Sequence, residues 1–344
     1  MNSLQISLLV AGGVTLLVVV LYNQWVSRRS APRQAELTPP DASAEPVAKN
    51  ETEPIEPVLD DGFRNLPQLE RKPVLHSLID AIATIDMDQP VSGDAALAAL
   101  PSTRRVGTKP FHVEGCSELS GEWEPLTAGR RYSAFQAGVQ LANRMGPLNE
   151  IEFSEFVVKT QAFADAVGGS PSFSDMLKEV ARARDLDQFA SAHDAQLSFM
   201  LEARAAAWSP GYIQQHAARL GFVAGAIPGR MVLPSPVAGM PPVLSLTFDT
   251  QAAMADDPAL SAIRECVLSL DVPQVPREEA PYARLQQALQ LLAEHMDGVI
   301  TDGSGQVLGV EVMQQIGQDL EQLYDALDRR ALHAGSPQAR RLFS

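Results

Sequence analysis

No charged side chain occurs between Met1 and Ser27, and the stretch from Ile6 to Tyr22 is almost wholly apolar. Its apolar side chains are Ile6, Leu8, Leu9, Val10, Val14, Leu16, Leu17, Val18, Val19, Val20 and Leu21, closed by Tyr22; Ser7, Gly12-Gly13 and Thr15 interrupt them. A helix rises about 1.5 Å per residue, so roughly 20 residues cross a hydrocarbon core about 30 Å thick. Positive charge follows at once, at Arg28, Arg29 and Arg33. Tyr22 and Trp25 fall where interfacial aromatic anchors belong, and basic residues stay on the cytoplasmic side. This pattern predicts one membrane span, with the N-terminus outside and the protein body in the cytoplasm. A cleaved signal peptide has the reverse order, basic before apolar, and a small-residue cleavage site. Met1 to Gln5 carries no Lys or Arg, and Trp25 to Arg29 is a poor cleavage site. A helix buried in a protein core is the third reading, since no polar residue marks a solvent face.

The 344 residues leave room for about two domains after the anchor. A hydrophobic content of 45% is enough for buried cores, and the net charge is −15. An acidic body does not condense onto nucleic acid by charge, so no nucleic-acid partner is expected. The two cysteines, Cys116 and Cys266, lie far apart and outside any C-x-x-C motif. That usage fits reduced thiols in the cytoplasm and argues against a disulfide framework or a zinc site.

Between 31 and 70 the chain reads as an acidic, Pro-rich linker. Prolines recur from Pro32 to Pro67, and Glu36, Asp41, Glu45, Glu51, Glu53, Glu56, Asp60 and Asp61 surround the lone Lys49. Few apolar residues repay the entropy of ordering it, so disorder is expected. About 40 residues reach some 35 Å by coil scaling. The acidic run reads as a solvated tether rather than as a docking motif.

Beyond this, short strands alternate with amphipathic helices. Apolar stripes at helical spacing are Phe153, Phe156, Val157, Phe163 and Val167; Met176, Leu177, Val180, Leu186 and Phe189; Tyr282, Leu285, Leu289, Leu292 and Met296; and Met313, Ile316, Leu320, Leu323 and Leu327. Each reads as a core-facing stripe. Alternation marks strands at 196–201, 244–249 and 268–272. The order of elements repeats. A strand at 77–86, a helix at 93–100, three strands, a helix, an extended piece and a helix are echoed from about Ala195 onward. Gly168-Gly169 and Gly298 fall at matching helix ends, where glycine suits a C-cap with positive φ. The prediction is an α+β fold: two tandem modules, 71–193 and 194–335, each an antiparallel sheet with helices on one face.

The chain carries no P-loop, G-x-S-x-G, H-E-x-x-H or EF-hand loop. The six histidines are scattered, without a Cys or His at ligand spacing. Asp86 and Asp88 read as a solvated strand end rather than as metal ligands. Gly303-Ser304-Gly305 reads as a turn rather than as a phosphate loop. A binding protein without cofactor or metal is expected, not an enzyme.

Several segments, in order, resemble the C-terminal domain of the ZipA family of bacterial division proteins. They are Gly221-Phe222-Val223-Ala224-Gly225, Ser245-Leu246, Leu268-Ser269-Leu270-Asp271-Val272-Pro273, and the run from Leu292-Ala293 to Gly298-Val299-Ile300-Thr301-Asp302. Ser92-Gly93-Asp94 and Ala164 to Gly169 carry a fainter echo in the first module. The layout of span, linker and α+β domain is also similar. The resemblance implies a cell-division adaptor in the bacterial inner membrane, with its N-terminus periplasmic. It would bind the C-terminal peptide of FtsZ on the outer face of a sheet and tether the septal ring.

On that alignment the candidate docking residues are Ser198, Met200, Ser245, Thr247 and Ser269, with Leu78 and Ile82 in the first module. The chain departs from the family here, because Ser245, Thr247, Asp249, Ser269 and Asp271 are the outward positions and the family has larger apolar residues at several of them. Asp249-Thr250-Gln251 likewise replaces an apolar-then-basic turn. The register of the 196–201 strand stays open: either Gln196, Ser198 and Met200 face outward or Leu197, Phe199 and Leu201 do, and one step exchanges the faces. The alternative reading is an anchored scaffold or envelope-assembly factor that docks another protein.

Overall fold

The computed structural model describes residues 32–35 and 74–344. The expected anchor and most of the expected linker lie outside the described residues. Among those described, no helix is long and apolar enough to cross a membrane. The fold is α+β with antiparallel sheets. The described chain separates into two compact units, one of residues 74–192 and one of His193–Phe343 together with 32–35.

The first unit runs β1 (Asp80–Ser92), α1 (Gly93–Ala99), β2 (Arg105–Val106), β3 (Lys109–Ser117), β4 (Trp123–Pro125) and β5 (Arg131–Gln140). A small hairpin of β6 (Ala142–Asn143) and β7 (Gly146–Pro147) leads to α2 (Glu150–Val167), β8 (Gly169–Ser172) and α3 (Met176–His193). The sheet order is β2-β3-β5-β1-β8, with β4 on β3.

The second unit runs β9 (Gln196–Ala203), α4 (Pro210–Arg219), β10 (Val223–Ala224), β11 (Arg230–Leu233), β12 (Leu244–Thr247), α5 (Thr250–Ala253) and β13 (Glu265–Asp271). Then come α6 (Pro281–Met296), β14 (Gly298–Thr301), α7 (Val310–Arg329) and α8 (Pro337–Leu342). Its sheet order is β10-β11-β12-β13-β9-β14. The series β3-β5-β1-β8 and β12-β13-β9-β14 are therefore the same arrangement: the first strand of each unit sits between its last long strand and the strand that follows the main helix.

The reason lies in alternation. On β1 the buried apolar residues are Ala81, Ala83 and Ile85, paired with Val139, Ala137 and Phe135 on β5. Phe153, Phe156 and Phe163 of α2 cover that face. Their rings interlock edge to face: Phe135 and Phe163 are 5.4 Å apart, and Phe111 and Phe156 are 6.1 Å apart. In the second unit Phe199, Leu201, Leu246, Leu268 and Leu270 face Leu285, Leu289, Leu292 and Met296 of α6, all buried. The helix ends follow local rules. Asn149 and Glu152 form a capping box at α2, and Ser209 with Pro210 starts α4.

Matching junctions reveal one correction. In α2 the C-cap is Gly168, at φ 74°, as the glycine rule predicts. In α6 the left-handed residue is Asp297, at φ 55°, and not Gly298. Gly298 is needed for space instead: a Cβ there would lie 2.8 Å from Leu201 Cδ1, and one on Gly169 would lie 2.6 Å from Ile85 Cγ2. A second correction concerns α3. Leu177 is exposed, and Ala183 and Ala190 take the buried places beside Val180 and Leu186. A third concerns the linker. Residues 32–35 pair with the second unit, Arg33 bridging to Trp208.

Truncating Phe156 to Ala removes a ring that touches Phe111, Phe153 and Phe173. Loss of about 3–5 kcal/mol is expected for such a cavity. Urea unfolding of the chain followed by hydrogen exchange should report it as faster exchange in α2 and β5.

Candidate docking faces

Pairing settles the open register. Phe199 lies opposite Leu268 and Leu201 opposite Cys266, so these point into the core. Gln196, Ser198 and Met200 therefore face outward, on the side away from α6. The outer face reads in rows across the strands. Val232, Ser245, Ser269 and Ser198 form one row. Arg230, Thr247, Val267, Met200 and Thr301 form the next. Glu265, Glu202 and Val299 form a third.

All five second-unit residues named from sequence thus share one surface. Ser198 and Ser269 are hydrogen-bonded to each other through their hydroxyls at 3.1 Å. Thr301 donates its hydroxyl to Glu202 at 2.8 Å. The surface is shallow and mixed, with hydroxyls along its middle and Val232, Val267 and Met200 supplying apolar contact. Sequence reasoning missed Val232, Val267, Arg230 and Glu202; the strand pairing that joins them to the serine row was the signal it lacked. Asp249, thought of as part of a turn motif, caps α5 by accepting the Gln251 N–H at 2.8 Å.

The first unit presents its outer face differently. Ile82 is outward on β1, half-buried and opposite Gly138. Leu78 lies in the turn before β1, not on the sheet. The extended residues just before that turn cross the face. Leu75 is buried against Gly138, where a Cβ would stand 2.4 Å from Leu75 Cδ2. Beneath it Glu114, 1% exposed, accepts the N–H groups of Val74 and Leu75 and the Gln136 amide at 2.8 Å. A buried carboxylate needs such donors. This part of the first face is filled by the chain itself, whereas on the second Ser198 is exposed and Ser245 and Ser269 are half-buried.

On the helix side of the second unit a cleft of about 340 Å³ opens between α4 and α6. Leu220, Phe222, Leu233, Ala288 and Leu291 line it, with Arg219, Arg284 and Gln287. No acid, histidine or cysteine converges there. Among the described residues no group of three or more His, Cys, Asp or Glu is placed to hold a metal ion.

The two thiols report directly on face orientation. Cys116 is half-buried on the outer face of β3, its thiol near the Gly121 carbonyl at 3.4 Å. Cys266 is buried on the inner face of β13, and burial pushes its pKa up to about 12. With a thiol-reactive dye at pH 8, one thiol per native chain should label, mapped to Cys116 by peptide mass, and Cys266 should label only on unfolding. No protein-family model matches the chain, and no curated protein matches it either.

Proposed function

We propose that this chain is a ZipA-like division adaptor of two tandem modules, anchored in the inner membrane by 6–22, whose second unit takes the C-terminal peptide of FtsZ on its outer sheet face. The observation that supports this reading is the sheet face, turned away from α6, on which Ser198, Met200, Ser245, Thr247 and Ser269 come together. An extended peptide laid across such a face meets apolar contact at Met200 and Val267 and hydroxyl groups along the serine row. Specificity in this mode comes from the side-chain pockets and affinity from a few buried anchors. The polar middle of the face keeps each contact weak. Many anchored copies meeting a polymer with many tails turn weak contacts into firm attachment, because each later contact is intramolecular. The partly filled first face leaves the second unit as the one that binds.

Titrating the full chain in nanodiscs with a labelled FtsZ tail peptide tests this. Saturable binding is expected, weakened roughly 10- to 30-fold by Met200→Glu or Ser269→Arg, as for loss of an interface anchor. Val158→Glu, on the exposed side of α2, should leave it unchanged. No binding near millimolar peptide, or equal binding by all variants, would refute the proposal.

A further inference from the structure

We propose that the second unit carries a socket for Arg33, and that this socket fastens the last unit of the chain directly to the chain's N-terminal segment. The contact has two parts. The first is a miniature ladder. Trp208 exchanges two backbone hydrogen bonds with Ile263, at 2.7 and 2.8 Å. On its other side Arg33 joins as a third, parallel row, its N–H donating to the Ala207 carbonyl at 2.7 Å and its carbonyl accepting from Ser209 at 2.9 Å.

The second part is the end of α6. A helix leaves its last carbonyls without intrahelical partners and carries partial negative charge there. Trp208 donates its indole N–H to the Met296 carbonyl at 2.9 Å, and the Tyr212 hydroxyl reaches the His295 carbonyl at 3.3 Å. The Arg33 guanidinium completes the set. One arm donates to the same Met296 carbonyl at 3.3 Å, and the other meets the Asp297 carboxylate at 2.9 Å. Asp297 is the residue held in the left-handed conformation, at φ 55°.

Arginine is suited to this place because its planar fork serves a carbonyl and a carboxylate together; a lysine offers one point charge. The neighbours make room. Gln34 reaches the Ala259 carbonyl at 3.4 Å, and Ala35 passes Gly211, where an added Cβ would sit 3.7 Å from its own. The ion pair is half exposed and so weak by itself. The backbone rows and the helix-end carbonyls give it register.

The consequence is an inversion. Along the chain the first unit precedes the second, yet the second is the one clipped to 32–35. The clip stands apart from any membrane role; that it holds the second unit beside a bilayer rests on the proposed anchor.

A double spin label tests the clip in the full chain. Labels go on Ala35→Cys and Gln214→Cys, both exposed, in a Cys116→Ser background with Cys266 buried. A narrow, short distance distribution is expected, unchanged when the chain is diluted with unlabelled protein. Arg33→Glu should reduce that clipped population about tenfold, as for loss of charged hydrogen bonds, with an unchanged circular dichroism spectrum. A broad distribution in the unsubstituted chain, or an unchanged one in Arg33→Glu, overturns the inference. A short distance that disappears on dilution overturns it too, since the socket then takes Arg33 from a second copy.

Discussion

β1, β9 and β13 alternate buried apolar residues with more exposed ones, and this constraint organises the molecule. A two-residue period cannot satisfy both faces with apolar side chains unless both are covered. Here helices cover one side. Phe199, Leu201, Leu246, Leu268 and Leu270 go under α6, and the residues between them are left facing outward by geometry. The same logic places Ala81, Ala83 and Ile85 under α2. Each unit therefore has one sheet face turned away from its main helix.

The two outer faces have different fates. In the first unit Glu114 is buried and needs donors, and the chain supplies them from Val74 and Leu75. In the second the middle of the face carries a row of hydroxyls, of which Ser198 and Ser269 bond each other at 3.1 Å. Small side chains leave the surface shallow, and a partner that lies flat and extended suits it better than a globular one. The proposed adaptor joins this weak face to an anchor and relies on number rather than on single-site strength. The Arg33 contacts give the second unit a fixed point on residues 32–35.

Much of the fold was legible. Helical stripes such as Leu285, Leu289, Leu292 and Met296 and the alternation in β13 each admit one burial pattern, and all are buried as read. The strand orders β3-β5-β1-β8 and β12-β13-β9-β14 follow the element order of each half of the chain. The register of β9 was not, because Met200 and Phe199 are both apolar and only the pairing with Leu268 and Cys266 distinguishes them. Leu177 misled for a related reason: a leucine at helical spacing looks buried, and the small residues Ala183 and Ala190 that mark the true contact face carry no hydrophobic signal. The left-handed Asp297 was hidden behind an adjacent glycine that obeys a different need. Arg33 read as one of three topogenic cations, because nothing in its neighbourhood announces Trp208 or Asp297, more than 170 residues away.

The most direct test of the central claim is vesicle flotation. The full chain, reconstituted into lipid vesicles, is mixed with assembled FtsZ and centrifuged through a density gradient. The account predicts that FtsZ floats with the vesicles and that removing its C-terminal peptide leaves it at the bottom. FtsZ that fails to float, or that floats equally well without its tail, would contradict the account.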